Sequence, residues 1–264
     1  EDLQNIAAIQ KSADLQAVVS KLHKDGVGAF FGFGVGQDLK NVSNNVAYLG
    51  QGGIGLPNRD YYYDVKYAAI RSAYTQHIEK SFALAQMTNA AQAAQQVFDF
   101  ETKLAEPMLR PSELREPERT YNKQALTEVQ LSFGPHFNFN QYLADISCST
   151  PDTIIVSNPA FNLALAELWH NTPIDQIKSY LQWCVINHYA GHLNEAFVQL
   201  NFDFYEGVLS GKRAQQPIEE MAIEEMTNLE VGELLGKAFV DKHFSKAAQD
   251  RVNEMVDNLL YVYK

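Results

Sequence analysis

The chain has 264 residues, enough for one large domain or two modest ones around a real core. Hydrophobic residues make up 46% and charged residues 20%, the balance of an ordinary folded protein. The formal charge is −11, from 32 acids against 21 scattered bases, and such a surface repels phosphate backbones, which argues against a nucleic-acid partner.

No apolar run approaches the ~20 residues that a membrane-spanning helix needs. The N-terminal EDLQNIAAIQ lacks the basic region and apolar stretch of a signal peptide and reads as the interior of a longer chain, entered partway through a helix. Apolar residues then recur at helical spacing to Lys24, with Ser12 placed to cap a second helix and Asp25-Gly26 as the stop. VGAFFGFGVGQD and NNVAYLGQGGIGLP predict a small β-hairpin or sheet near residues 27–55, with DLKNVSNN as its turn region. Beyond Pro57 the pattern is mainly helical. Long amphipathic segments cover 64–87 and 89–106, a proline-broken connector follows, and short helices are predicted at 124–131 and 137–145. SCSTPDTIIVSNPAF is the expected lobe boundary, which divides the chain into 1–150 and 151–264. Helices near 159–170, 173–205 and 216–242 follow, and another from 245 runs to the last residue without a stop signal. The expected class is mainly α, two helical lobes with one small sheet.

The chemistry-bearing patterns are incomplete. His188 and His192 in NHYAGHLN have the spacing at which one helix presents two imidazoles to zinc. A hydrolytic site also needs a third protein ligand and a base, and the base position of His-Glu-x-x-His is Tyr189 here. A structural pair is the favoured reading. Glu167 and His170 are one copy of a Glu-x-x-His pattern that di-iron bundles need twice with two further glutamates, so they read as a helix face. Glu219, Glu220, Glu224 and Glu225 have no histidine at ligand spacing and read as a solvated face. GVLSGKR has three residues between its glycines where a phosphate loop has four, and Arg213 stands where that loop has Ser or Thr. No helix follows GFGVG, so it is no dinucleotide fingerprint. Cys184 lies in an apolar helical pattern and reads as an inert packed thiol. Cys148 and Cys184 make no disulfide framework and leave a single bridge open.

Several stretches taken together resemble one family. GGIGLPNRDYYYD resembles the Gly-Leu-Pro-x-Arg-Asp-Tyr-Tyr segment of neprilysin-like zinc endopeptidases, which include bacterial endopeptidase O. FGVGQDLKNVSNNVAYL is similar to the strand–turn–strand that leads into it. FETKLAEP with TYNKQALTEVQ, the Tyr-Leu-x-Trp helix from Tyr180, and EVGELLGKAFVDKHFS follow in family order. GKRAQQPIEEMAIEEM departs from the pattern, since relatives show a basic segment there.

The resemblance implies an N-terminal part of a zinc metalloendopeptidase. Its peptides would enter a cavity between two helical lobes, residues 1–150 contributing to the catalytic lobe and 151–264 beginning the smaller cap. It implies that His188 and His192 lie on a structural helix and that the His-Glu-x-x-His helix, the third ligand and the substrate-gripping strand come later in the polypeptide. Zinc belongs to the parent protein, and no residue of this chain is assigned to catalysis, cofactor or metal. Gly55, Leu56, Pro57, Arg59, Asp60, Tyr61, Tyr62, Tyr121 and Asn122 carry the family signature, with an architectural role expected. The implied partners are short peptides and the C-terminal half of the same polypeptide, with a location in the periplasm, cell envelope or outside the cell. The competing reading is a stand-alone helical peptide-binding module without a zinc site. If the parent lobe is split in this way, residues 1–150 are expected to expose apolar surface that the absent half would cover.

Overall fold

The structure, a computed structural model, describes residues 1–228 and 231–263. It contains two compact units, Glu1–Lys212 and Arg213–Lys264.

The first unit begins with α1 (Asp2–Ala7) and α2 (Ser12–Lys24). Ser12 starts α2 but does not cap it; the Asp14 carboxylate takes the N–H groups of Gln10 and Lys11 at 3.0 and 3.1 Å. The stop is as expected, with Gly26 in the left-handed region at φ 85°. The predicted hairpin is β1 (Phe31–Asp38) and β2 (Asn41–Gln51), antiparallel from Phe31↔Gln51 onward, with a register shift at Gln37/Asp38.

Helices α3 (Asp60–Tyr63), α4 (Ala68–Leu84) and α5 (Ala90–Ala105) follow the sheet. Buried Ala94, Val97, Phe100, Glu101, Leu104 and Ala105 line one face of α5 at helical spacing. After α6 (Pro117–Thr120) come β3 (Asn122–Ala125), α7 (Leu126–Phe133), α8 (Phe139–Asp145), β4 (Thr153–Val156) and α9 (Pro159–Asn171). The sheet is four-stranded and mixed, in the order β1-β2-β4-β3. β4 lies parallel to β2 (Ala47↔Ile154) and antiparallel to β3 (Asn122↔Val156).

Two strands therefore exceed the expected hairpin. β4 lies inside the polar stretch expected as a lobe boundary, and it pairs there with β2 and β3. The helix expected over 173–205 is broken. α10 (Ile174–Tyr189) gives way to a 3₁₀ turn over Ala190–His192, then α11 (Glu195–Asn201) and a π-helical stretch, Phe202–Leu209. Asn194 restarts the helix, its side chain accepting the Phe197 N–H at 3.4 Å.

The core of the first unit is aromatic. Phe30 packs against Phe100, Trp169 and Tyr180, and Phe31 against Phe133, Phe137 and Tyr142. Burying each such ring contributes roughly 1.5–3 kcal/mol. That packing holds Phe30 at φ 59°, a conformation that costs an L-residue about 1–2 kcal/mol. Cys148 and Cys184 are both free thiols, so the bridge left open by the sequence is not formed.

The second unit consists of α12 (Ile218–Asn228), α13 (Gly232–His243) and α14 (Lys246–Tyr263). Apolar side chains along it stay exposed, among them Leu234, Phe239, Leu259 and Tyr263. Apolar exposure is thus densest outside residues 1–150; within that range it includes Val35, Leu39 and Val42 along the hairpin, with Val65 and Leu131. No helix is long and apolar enough to cross a membrane among the described residues.

Candidate functional site

The signature segment leaves β2 at Gly52 and is threaded between buried side chains. Gly53 has φ 82°, and a Cβ there would overlap the Phe30 backbone. The Tyr180 hydroxyl donates to the Gly53 carbonyl at 2.7 Å and accepts the Phe30 N–H at 2.8 Å. At Gly55 a Cβ would overlap the Tyr74 hydroxyl, so the glycine is required by close approach.

Glu101 of α5 is the centre of this region. It is 1% exposed, and its carboxylate accepts the Tyr62 hydroxyl at 2.7 Å and the Tyr74 hydroxyl at 2.9 Å. Tyr62 in turn accepts the Leu56 N–H at 3.1 Å, and Tyr74 accepts Trp183 Nε1–H at 2.9 Å. Tyr205 of the π-helical stretch donates to the Gly55 carbonyl at 3.3 Å. Burial pushes the Glu101 carboxyl up to about 7, against the pull of these hydrogen bonds, and burial likewise lifts the Tyr62 and Tyr74 hydroxyls well above the ordinary phenol range.

The rest of the signature faces outward from this anchor. The Asp60 N–H donates to Asn58 Oδ1 at 3.0 Å just ahead of α3, whose N-cap residue Arg59 makes no side-chain cap. The ion pair between Arg59 and Asp60 is long, 4.0 Å, and Asp60 lies nearer to Arg110, at 3.5 Å. Arg59 donates to the Glu106 carbonyl and lies over the Tyr63 ring, while Tyr61 stacks on Tyr67 with centroids 4.0 Å apart.

Tyr121 and Asn122 form a separate cluster. Asp38, 2% exposed, accepts Tyr121 Oη–H and Lys123 Nζ at 2.8 Å each and the Lys40 N–H at 2.9 Å. Lys123, with the two other donors, holds the Asp38 carboxyl well below the usual carboxylate range. Asn122 Nδ2 donates to the Val156 carbonyl at 3.0 Å, and Lys40 Nζ lies 4.4 Å from the Tyr121 ring centre. The hairpin turn is thereby tied to β3 at the far edge of the sheet.

The remaining motifs carry no assembled chemistry. His188 is in the last turn of α10 and His192 in the following 3₁₀ turn, so the single continuous helix that would aim both at one ion is absent. Glu167 accepts from Asn171 at 3.1 Å, and His170 stacks on His136 with centroids 4.0 Å apart. Burial pushes the Cys184 thiol up, away from thiolate chemistry. Among the described residues no three His, Cys, Asp or Glu side chains are grouped so as to hold a metal ion.

The sequence pattern marks Trp183 through the Tyr-Leu-x-Trp motif but does not single out Glu101, Tyr74 or Asp38. A signal existed for Glu101: it is an acid on the apolar face that Ala94, Val97 and Leu104 define.

Comparison with known proteins decides the family. The N-terminal profile of peptidase family M13 matches residues 1–264. The chain belongs to peptidase family M13. Bovine (Bos taurus) endothelin-converting enzyme 1 is 26% identical over 252 residues, 92% of this M13 chain and 32% of that protein. Human (Homo sapiens) endothelin-converting enzyme-like 1 is 25% identical, over 89% of this chain and 31% of its own length. The inhibitor complex of Mycobacterium tuberculosis zinc metalloprotease Zmp1 superposes with a TM-score of 0.90 at 28% identity, over 99% of this chain and 40% of that one. PepO from Lactobacillus rhamnosis shares the fold, with a TM-score of 0.81 at 19% identity over 99% of this chain and 42% of its own. The M13 chain spans about a third of the length of the curated relatives it matches. As the sequence resemblance implied, it is a neprilysin-like M13 N-terminal region whose homologues include a zinc metalloprotease. Among the described residues no third His, Cys, Asp or Glu joins His188 and His192 in a group that could hold a hydrolytic zinc ion.

Proposed function

We propose that this chain is the N-terminal portion of a zinc metalloendopeptidase that hydrolyses short peptides inside an enclosed cavity. Its part is to build wall and frame, while the metal ligands and the base come from the remaining C-terminal half of the polypeptide. Residues 1–150 contribute to the catalytic lobe, and 151–264 begin the cap lobe. The whole enzyme works in the periplasm, in the cell envelope or outside the cell. The observation that carries this reading is the M13 profile match over the full 264 residues, in a chain whose histidine pair is broken across two elements.

The product of the complete reading frame tests it. That protein is expected to cleave a short peptide and to spare the same sequence within a folded protein, with activity lost to a chelator and restored by zinc. Equal cleavage of both substrates would remove the enclosed cavity. A complete reading frame whose product binds peptides without cleaving them would favour the binding-module reading.

A further inference from the structure

The hydrogen bonds at Glu101 run one way. Trp183 donates to Tyr74 and Leu56 N–H donates to Tyr62; both phenols then donate to the same carboxylate. A phenol has one hydrogen, so each tyrosine here spends it on Glu101 and uses its oxygen to accept. This arrangement suits an ionised carboxylate, which only accepts.

The surroundings favour the opposite state. The groups that face the acid are Tyr62 of α3, Tyr74 of α4, Tyr180 and Cys184 of α10, and Tyr205 of the π-helical stretch. All of them are neutral, and among the described residues no Lys or Arg pairs with Glu101. A buried charge without a counter-ion is disfavoured strongly enough to compete with these two hydrogen bonds.

We propose that Glu101 is a proton-operated latch on the signature segment: the gain or loss of one proton there changes how Gly55, Leu56 and Tyr62 are held. In the ionised form the carboxylate accepts both phenol hydrogens. In the acid form its O–H turns toward one phenol oxygen, and that phenol must point its own hydrogen away. The change passes through Tyr74 to Trp183, whose indole N–H is one bond further along the relay. The balance between burial and hydrogen bonding puts the exchange at about 7. His77, edge-on to the Trp183 ring at 5.5 Å, is held down by burial to about 4 and stays neutral through that window.

The linkage has a definite sign. The folded chain keeps a proton that the unfolded chain has released between the ordinary carboxyl value of 4.5 and about 7. Raising the pH through that window therefore lowers the folding equilibrium, by up to about tenfold per pH unit, and the loss saturates above it.

The test is a fluorescence titration of the folded protein from acid to alkaline pH, with urea unfolding at each end. The wild type is expected to show a one-proton transition near neutrality, and Glu101→Gln to show none. A flat wild-type curve, or a transition kept in Glu101→Gln, would overturn the proposal. Should Glu101→Gln not fold, Tyr74→Phe serves, because it cuts the relay and leaves the acid in place. It is expected to lose the fluorescence transition and keep the pH-dependence of the urea midpoint. A fluorescence transition unchanged in Tyr74→Phe would overturn the relay, and a urea midpoint without pH-dependence would overturn the latch.

Discussion

Gly55 shows how tightly single residues are specified. A methyl group there meets the Tyr74 hydroxyl, whose oxygen is already committed to Glu101 and Trp183 and cannot retreat freely. Gly55→Ala is expected to destabilise the fold by about 1–3 kcal/mol, read from urea unfolding. Adding Tyr74→Phe removes the obstructing atom, so the double variant should fall short of the sum of the two single losses by about 1 kcal/mol or more. Strict additivity would mean that the overlap is relieved elsewhere. Position 55 was legible as a turn glycine before Pro57, but its physical reason was not, since the obstruction comes from α4 and α10. Glu101 was hidden for a related cause. Its own helix marks it as an acid on an apolar face, yet the two phenol donors that make burial tolerable come from segments distant in sequence.

Among the elements, the sheet was half visible. β1 and β2 carry length, aromatics and a turn between them, and they were found. β3 and β4 have four residues each, too few for a period, and β4 reads as a short buried run framed by turn residues. The Asp38 cluster joins these two classes of strand, and it supplies a prediction. Asp38→Ala should speed hydrogen exchange at the amides of Gln37 to Asn45 while leaving those of α5 unchanged, because Tyr121, Lys123 and the Lys40 N–H all lose their common acceptor. Uniform exchange rates in wild type and variant would show that the strand ladder alone holds the hairpin. The pH dependence follows from the lowered Asp38 value. The tie is fully present above the ordinary carboxyl range and is lost only as pH falls through the depressed folded value. Hairpin protection should accordingly persist from neutral pH through mildly acidic conditions. The break after Tyr189 was the other missed element feature. Gly191 and the Asn194 cap interrupt an apolar rhythm that otherwise continues to Tyr205.

At the scale of the whole molecule, the buried hydrophobic core runs from Ile6 to Phe204 and lies inside the first unit. The second unit keeps its apolar side chains exposed along α12, α13 and α14. A chain ending at Lys212 is therefore expected to unfold cooperatively and to bind much less of an apolar-surface dye than the chain of 264 residues. Equal dye binding would place the exposed surface in the first unit. Family and class were readable from ordered motifs, because those motifs are what the frame requires: two glycines at close approaches, a proline exit and tyrosines that reach a buried acid. On the proposed function these residues are frame, and the C-terminal half of the polypeptide does the zinc chemistry. Metal analysis of the purified 264-residue chain, after exposure to zinc and exhaustive dialysis, tests it most directly. The predicted result is zinc far below one ion per chain, unchanged by His188→Ala with His192→Ala. One tightly held ion per chain, lost in that double variant, would contradict it.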